Sequence, residues 1–196
     1  EKRIIRAKDD LYSLLFLLTP GDTKAELAIL LNAFLEFEQY YNEDAPLEKV
    51  LPKLTKVYGA RYKGYTLKQL CQEMHEYYRG NNTFTLQQEL FAKPDMQNYQ
   101  MTPEHADYLF MKNKSELVNL EDVKGRIAAE GALPYPPGVF IVAPGEKWSD
   151  IDQKYFEVLV GAIERFPGFV PEIQGVYWDQ KSDGKIRVQA EVLKEK

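Results

Sequence analysis

Residues 131–148, GALPYPPGVFIVAPGEKW, hold four of the chain's eleven prolines and three of its twelve glycines. No other stretch restricts the fold as much. Proline fixes its own φ, donates no backbone hydrogen bond and drives the residue before it out of the helical region. Neither a helix nor a central strand can run through Pro134, Pro136, Pro137 and Pro144. Between the two Pro/Gly clusters only residues 139–143 are free to be regular. Their apolar run predicts a short buried strand that anchors the rigid turns around it.

Upstream of this barrier the pattern is mainly helical. Residues 12–19, YSLLFLLT, lie between Asp9-Asp10 and Pro20-Gly21 and read as a buried strand. Thr23 and Glu26 then form a capping-box pattern. Leu27, Leu30, Leu31, Phe34 and Leu35 follow at helical spacing, which predicts one core face. A lone strand and helix cannot bury that face by themselves, so they are expected to complete a sheet supplied by chain upstream. Residues 42–65 read as short helical turns broken at Pro46, Pro52, Gly59 and Gly64. A second helix is expected from Thr66, with Leu67, Leu70, Cys71, Met74 and Tyr78 inward and Gly80-Asn81-Asn82 as its stop. A further helix is expected over 85–92, a loop over 93–101, and a helix opened by Thr102-Pro103.

Downstream the reading changes to mixed helix and strand. Short β pieces are expected at 117–120 and 126–129. Ser149 and Asp152 open a helix whose apolar face is Ile151, Tyr155, Phe156, Leu159, Ala162, Ile163 and Phe166, stopped by Pro167-Gly168. Asp183-Gly184 is a turn pair, and Ile186, Val188, Ala190 and Val192 alternate with polar residues, as in a terminal β-hairpin with one buried face. The fold class is therefore α+β.

Composition narrows the chemistry. Apolar residues make up 44% of the 196, enough for a real core. A net charge of −5 argues against nucleic-acid binding. The single cysteine, Cys71, allows no internal disulfide, and the opening EKRIIRAKDD carries no apolar leader segment. A cytoplasmic protein is expected, and, with no methionine at its start, the chain is expected to be a fragment or a processed form of something longer. His75 and His105 are the only histidines and have no second ligand at metal spacing, so no metal site is expected. Cys71 falls on the inner face of its helix and reads as an inert thiol. The turn 19–23 has one glycine and an aspartate, and reads as a capped turn rather than a phosphate loop. Glu130, Glu146 and Glu172 stand beside rigid Pro/Gly turns, where they could hold a cationic group or be solvated loop charges.

Residues 125–148, GRIAAEGALPYPPGVFIVAPGEKW, together with 166–177, FPGFVPEIQGVY, resemble the C-terminal region of the bacterial ornithine/lysine/arginine decarboxylases. The resemblance extends upstream through SLLFLLTPGDT and YTLKQLCQEMHEYY, and its flavour is nearest to ornithine decarboxylase. It implies that residues 1–60 close an aminotransferase-like small domain, as a strand plus helix, and that 61–196 form the family's C-terminal α+β domain. It implies pyridoxal phosphate as cofactor, held by a Ser-x-His-Lys lysine in an upstream large domain. Here Glu76 follows His75 and Ala106 follows His105, so neither matches. The expectation is a C-terminal fragment of an ornithine decarboxylase, which forms putrescine and CO2, with no catalytic and no cofactor-binding residue of its own. Glu130, Gly131, Leu133, Tyr135 and Pro136 are the candidates to line the substrate channel. The expected partners are the rest of the decarboxylase chain, a second subunit in a homodimer or larger homo-oligomer, and the amino-acid substrate; neither nucleic acid nor membrane is expected. A lysine or arginine decarboxylase fragment, or a non-catalytic interaction module built from the same domain, are the alternatives.

Overall fold

The computed structural model describes residues 4–92, 98–135, 138–170, 172–180 and 186–195. Contacts divide the chain into two compact units, Glu1–Tyr77 and Tyr78–Lys196. The domain boundary expected from the sequence lies at 60/61.

The first unit opens with a two-stranded antiparallel ribbon, β1 (Lys8–Asp10) and β2 (Ser13–Leu15), in the register Lys8↔Leu15. The buried strand expected over 12–19 is not what forms. Leu14, Leu15, Leu17 and Leu18 are 54%, 56%, 76% and 60% exposed. Helix α1 (Lys24–Asn42) begins as expected. The Thr23 hydroxyl accepts from the Glu26 amide at 3.3 Å, and Glu26 Oε2 accepts from the Thr23 amide at 2.7 Å. No residue of α1 is buried, so the apolar face expected to meet a sheet from chain upstream is uncovered among the described residues. Large apolar side chains occur nearly all round it, with Ile29, Leu31, Phe34 and Phe37 exposed; the Phe16 ring meets Phe34 edge-on, centroids 5.9 Å apart.

Three short helices then occupy the stretch broken by Pro and Gly: α2 (Leu47–Val50), α3 (Pro52–Val57) and α4 (Gly59–Tyr62). Helix α5 (Leu67–Gly80) follows a left-handed Gly64, φ +76°. Leu47, Tyr62, Leu67 and Leu70 are buried and give the unit a small core. Arg61 ties it together. Its guanidinium forks onto both Glu73 oxygens at 2.8 and 2.9 Å and donates to the Tyr65 hydroxyl at 2.6 Å. The same group lies over the Tyr62 and Tyr65 rings.

The second unit contains the main core. Helices α6 (Thr83–Ala92) and α7 (Pro103–Met111) precede β3 (Ser115–Asn119). Then come β4 (Leu133–Tyr135), α8 (Asp150–Arg165), β5 (Glu172–Gln174), β6 (Val176–Gln180) and β7 (Ile186–Leu193). β7 is central in an antiparallel sheet of order β3-β7-β6, and β4 pairs with β5 in a separate ribbon. The expected β6–β7 hairpin forms; its Asp183-Gly184 turn lies outside the described residues. Alternation works as predicted: Val188, Ala190 and Val192 face inward. They meet Trp148, Tyr155, Phe156, Leu159 and Val160 of one core cluster.

The strand expected over 139–143 does not form. Only Val142 is buried, in an isolated bridge to Ala132, while Val139 and Phe140 are half exposed. Phe140 folds back instead, and its ring sits where a Gly131 Cβ would be, 2.3 Å from that position. Gly145, φ +88° and hard against the Met101 carbonyl, turns the chain away before a ladder can extend.

Helix α8 starts with a complete box: the Ser149 hydroxyl accepts from the Asp152 amide at 3.2 Å, and Asp152 Oδ2 accepts from the Ser149 amide at 2.7 Å. Replacing Ser149 by Ala is expected to cost the second unit about 1 kcal/mol in chemical denaturation. A loss within error would mean that packing alone sets this helix start.

Candidate functional site

The two Pro/Gly motifs of the sequence are neighbours in the fold. Strand β4 runs antiparallel to β5, with Leu133↔Gln174, Pro134↔Ile173 and Tyr135↔Glu172. A two-stranded ribbon has no central strand, so the missing amide of Pro134 breaks no ladder. Just before it, Gly131 meets Gly175. A Cβ on Gly175 would stand 2.0 Å from the Gly131 carbonyl oxygen, and Gly175 has φ +73°. Only a residue with no side chain permits that approach.

Both motifs also share one edge of β7. Residues 127–129 use its far end: Leu193 N donates to Ile127 O at 2.8 Å, and Ala129 N donates to Glu191 O at 3.0 Å. β6 takes the same edge from Val176↔Ala190 onward. At the junction, the Tyr177 hydroxyl donates a hydrogen bond to Glu130 Oε2. That bond, burial and the nearby Glu191 carboxylate push the Tyr177 phenol up to about 12. The hydroxyl therefore stays protonated, and a donor, throughout the neutral range.

The sequence-derived candidates separate into groups here. Glu130 and Gly131 are half-buried, and Leu133 is buried. Tyr135 is half exposed at the far end of β4, its ring against the backbone of Gly138, whose amide donates to Pro134 O at 3.1 Å. Pro136 lies outside the described residues. Glu130 bonds to Tyr177, and Tyr135 pairs across its ribbon with Glu172. The other two carboxylates have local duties. Glu146 Oε2 accepts from the Ala143 amide at 2.9 Å and braces the turn at Gly145, and Glu172 accepts from the Gln174 side chain at 3.1 Å.

Tyr177 was not among the residues that sequence reasoning singled out for a role. Its signal was present all the same, as the last residue of FPGFVPEIQGVY. Away from this junction, His75 packs on Tyr12 and His105 stacks on Tyr108, with ring centroids 5.9 and 6.3 Å apart. Burial pushes the half-buried Cys71 thiol up, away from thiolate chemistry. Thr19–Thr23 is a turn closed by Asp22 N donating to Thr19 O at 3.0 Å. Among the described residues no group of three or more His, Cys, Asp or Glu is placed to hold a metal ion. No helix among them is long and apolar enough to cross a membrane. The arrangement at Glu130, Tyr177 and Glu191 thus offers carboxylate oxygens and a phenol. These groups can hold a cation; they do not form a nucleophile with its base.

Comparison with known proteins bears on the same residues. A model of the Orn/Lys/Arg decarboxylase C-terminal domain matches residues 84–194. An inducible ornithine decarboxylase of Lactobacillus sp. (strain 30a) is 49% identical over 96% of the chain, which covers 26% of that protein. An ornithine decarboxylase of Haemophilus influenzae is 48% identical over 98% of the chain and 27% of its own length. The solved structure of lysine decarboxylase A from Pseudomonas aeruginosa superposes with a TM-score of 0.87 at 30% identity, over 98% of the chain and 26% of that structure. The chain therefore spans about a quarter of the length of these relatives.

Proposed function

The chain belongs to the Orn/Lys/Arg decarboxylase family, and from that premise we propose that it is the C-terminal part of a cytoplasmic ornithine decarboxylase, with Glu130, Gly131, Leu133 and Tyr135 lining the substrate channel. The choice of ornithine is supported by identities of 49% and 48% to proteins named as ornithine decarboxylases, against 30% to the lysine enzyme. The observation that carries the channel role is the pairing of the two Pro/Gly motifs, which leaves Glu130 half-buried and bonded to the Tyr177 phenol, itself near a second carboxylate, Glu191. A diamino acid differs from other amino acids in its distal ammonium. A carboxylate held out of full solvent recognises that group through a charge-assisted hydrogen bond.

Pyridoxal phosphate, the family's cofactor, would act as the electron sink for decarboxylation, and its chemistry needs a lysine in a desolvated pocket. Every described lysine is exposed or only half-buried, and none follows a histidine. The residues present do not fit the cofactor, and we assign its binding to the rest of the parent chain. The exposed side chains of β2 and α1, among them Leu14, Leu15, Leu31 and Phe34, are the surface on which that remainder packs in this reading. Subunit pairing belongs to the same parent assembly.

Kinetics of the full-length enzyme test the proposal. Glu130→Gln is expected to raise KM for ornithine about tenfold or more, and Tyr135→Phe to raise it less. Ornithine kinetics unchanged in both variants would remove the channel role and leave a structural loop. Decarboxylation of lysine or arginine in preference to ornithine would reassign the substrate. Measurable turnover by the isolated 196-residue chain would overturn the fragment reading itself.

A further inference from the structure

We infer that Tyr177 is a positioning residue for Glu130: its hydroxyl holds one carboxylate oxygen and leaves the other to meet the distal amine of the substrate. The inference rests on the channel role proposed for Glu130 and deepens it.

The register of the sheet sets the side-chain directions. Val176 pairs with Ala190, and both are buried on the inner face. Tyr177 pairs with Gln189 and must therefore point to the opposite face, the side on which Glu191 also projects. The contact of Gly131 with Gly175 fixes how closely the two backbones approach, and hence the span from Glu130 to residue 177. A tyrosine bridges that span through the tip of its ring.

Packing gives little reason for tyrosine at this position. The residue is 48% exposed, and a half-exposed strand site accepts many β formers. What tyrosine alone among the aromatics supplies is a hydroxyl at that distance. The hydroxyl has two neighbouring carboxylates, Glu130 and Glu191, and its proton goes to Glu130.

The choice of a neutral donor matters chemically. A lysine or arginine at 177 would orient Glu130 equally well but would cancel its charge and compete with an incoming ammonium. Among the described residues no basic side chain forms a salt bridge with Glu130 or Glu191. A protonated phenol fixes the carboxylate and keeps its full negative charge.

The test uses the full-length enzyme with Tyr177→Phe, Glu130→Gln and the double variant. Steady-state kinetics are measured with ornithine and with norvaline, which lacks the distal amine, and thermal unfolding is followed in parallel. Tyr177→Phe is expected to raise KM for ornithine about five- to tenfold, with kcat within about twofold and the rate on norvaline unchanged. The double variant is expected to be no worse than Glu130→Gln alone, because both changes break one unit. If Glu130→Gln raises KM and Tyr177→Phe does not, positioning is overturned while the channel role stands. If neither moves KM, positioning falls together with the part assigned to Glu130 in the channel. Additive effects, equal losses on both substrates, or a Tyr177→Phe enzyme that unfolds early would each overturn positioning in favour of an independent or structural role.

Discussion

Gly175→Ala is expected to destabilise the second unit by more than about 3 kcal/mol. Two penalties add at this position. The backbone is left-handed, φ +73°, where an L side chain is strained. The new Cβ would also stand 2.0 Å from the Gly131 carbonyl oxygen and 2.7 Å from its carbon, both backbone atoms that cannot swing aside. Gly125 separates the two terms. It has the same kind of backbone, φ +77°, but nothing lies within 4 Å of its added Cβ. Gly125→Ala should therefore cost only about 1–2 kcal/mol. Both tryptophans, Trp148 and Trp178, belong to the second unit, so denaturant unfolding followed by tryptophan fluorescence reads it directly. Equal losses in the two variants would show that the close approach of the two motifs carries no weight.

Phe156→Ala is expected to cost about 3–5 kcal/mol by the same measurement. Phe156 is 0% exposed on α8 and packs against Trp148 and Tyr155, ring centroids 5.5 and 6.1 Å away. Truncation removes apolar contact and leaves a cavity between helix and sheet that neighbours on two sides hold open. The matching change on α1 should behave differently. Phe37 is 49% exposed, and Phe37→Ala is expected to shift unfolding of the chain by less than about 1 kcal/mol. A loss at Phe37 as large as that at Phe156 would mean that α1 is packed, and would remove the surface assigned to the rest of the parent chain.

These two helices mark what was legible in the sequence. Helix starts were read correctly at Thr23, Thr102 and Ser149, because a cap is a contact between residues three positions apart. The α8 face was largely read correctly: Tyr155, Phe156, Leu159, Ala162, Ile163 and Phe166 are buried, but Ile151 is only partly so, and Val158 and Val160 are buried as well because the sheet of the same unit packs on the helix. On α1 the helix forms but its apolar side chains stay exposed, and over residues 12–19 only the short exposed strand β2 forms. Apolar spacing states that a surface is suited to burial; it does not state what covers it. Residues 139–143 failed for another reason. Their run looked like a strand, but Phe140 folds over Gly131 and Gly145 turns the chain, so pairing stops at the single bridge Ala132↔Val142.

What the sequence determined by itself is local or compositional: caps, stops, alternation on β7, and two long Pro/Gly motifs specific enough to mark the family. The tertiary structure alone decided that those motifs touch. Glu130 and Tyr177 stand 47 residues apart, and nothing near either position in sequence indicates the other. Their meeting depends on β7, whose one edge accepts residues 127–129 and then β6, and on Gly175, which lets the Gly131 carbonyl come close. Long-range pairing of this kind is set by strand register and steric fit across the sheet, and neither exists until the chain has folded.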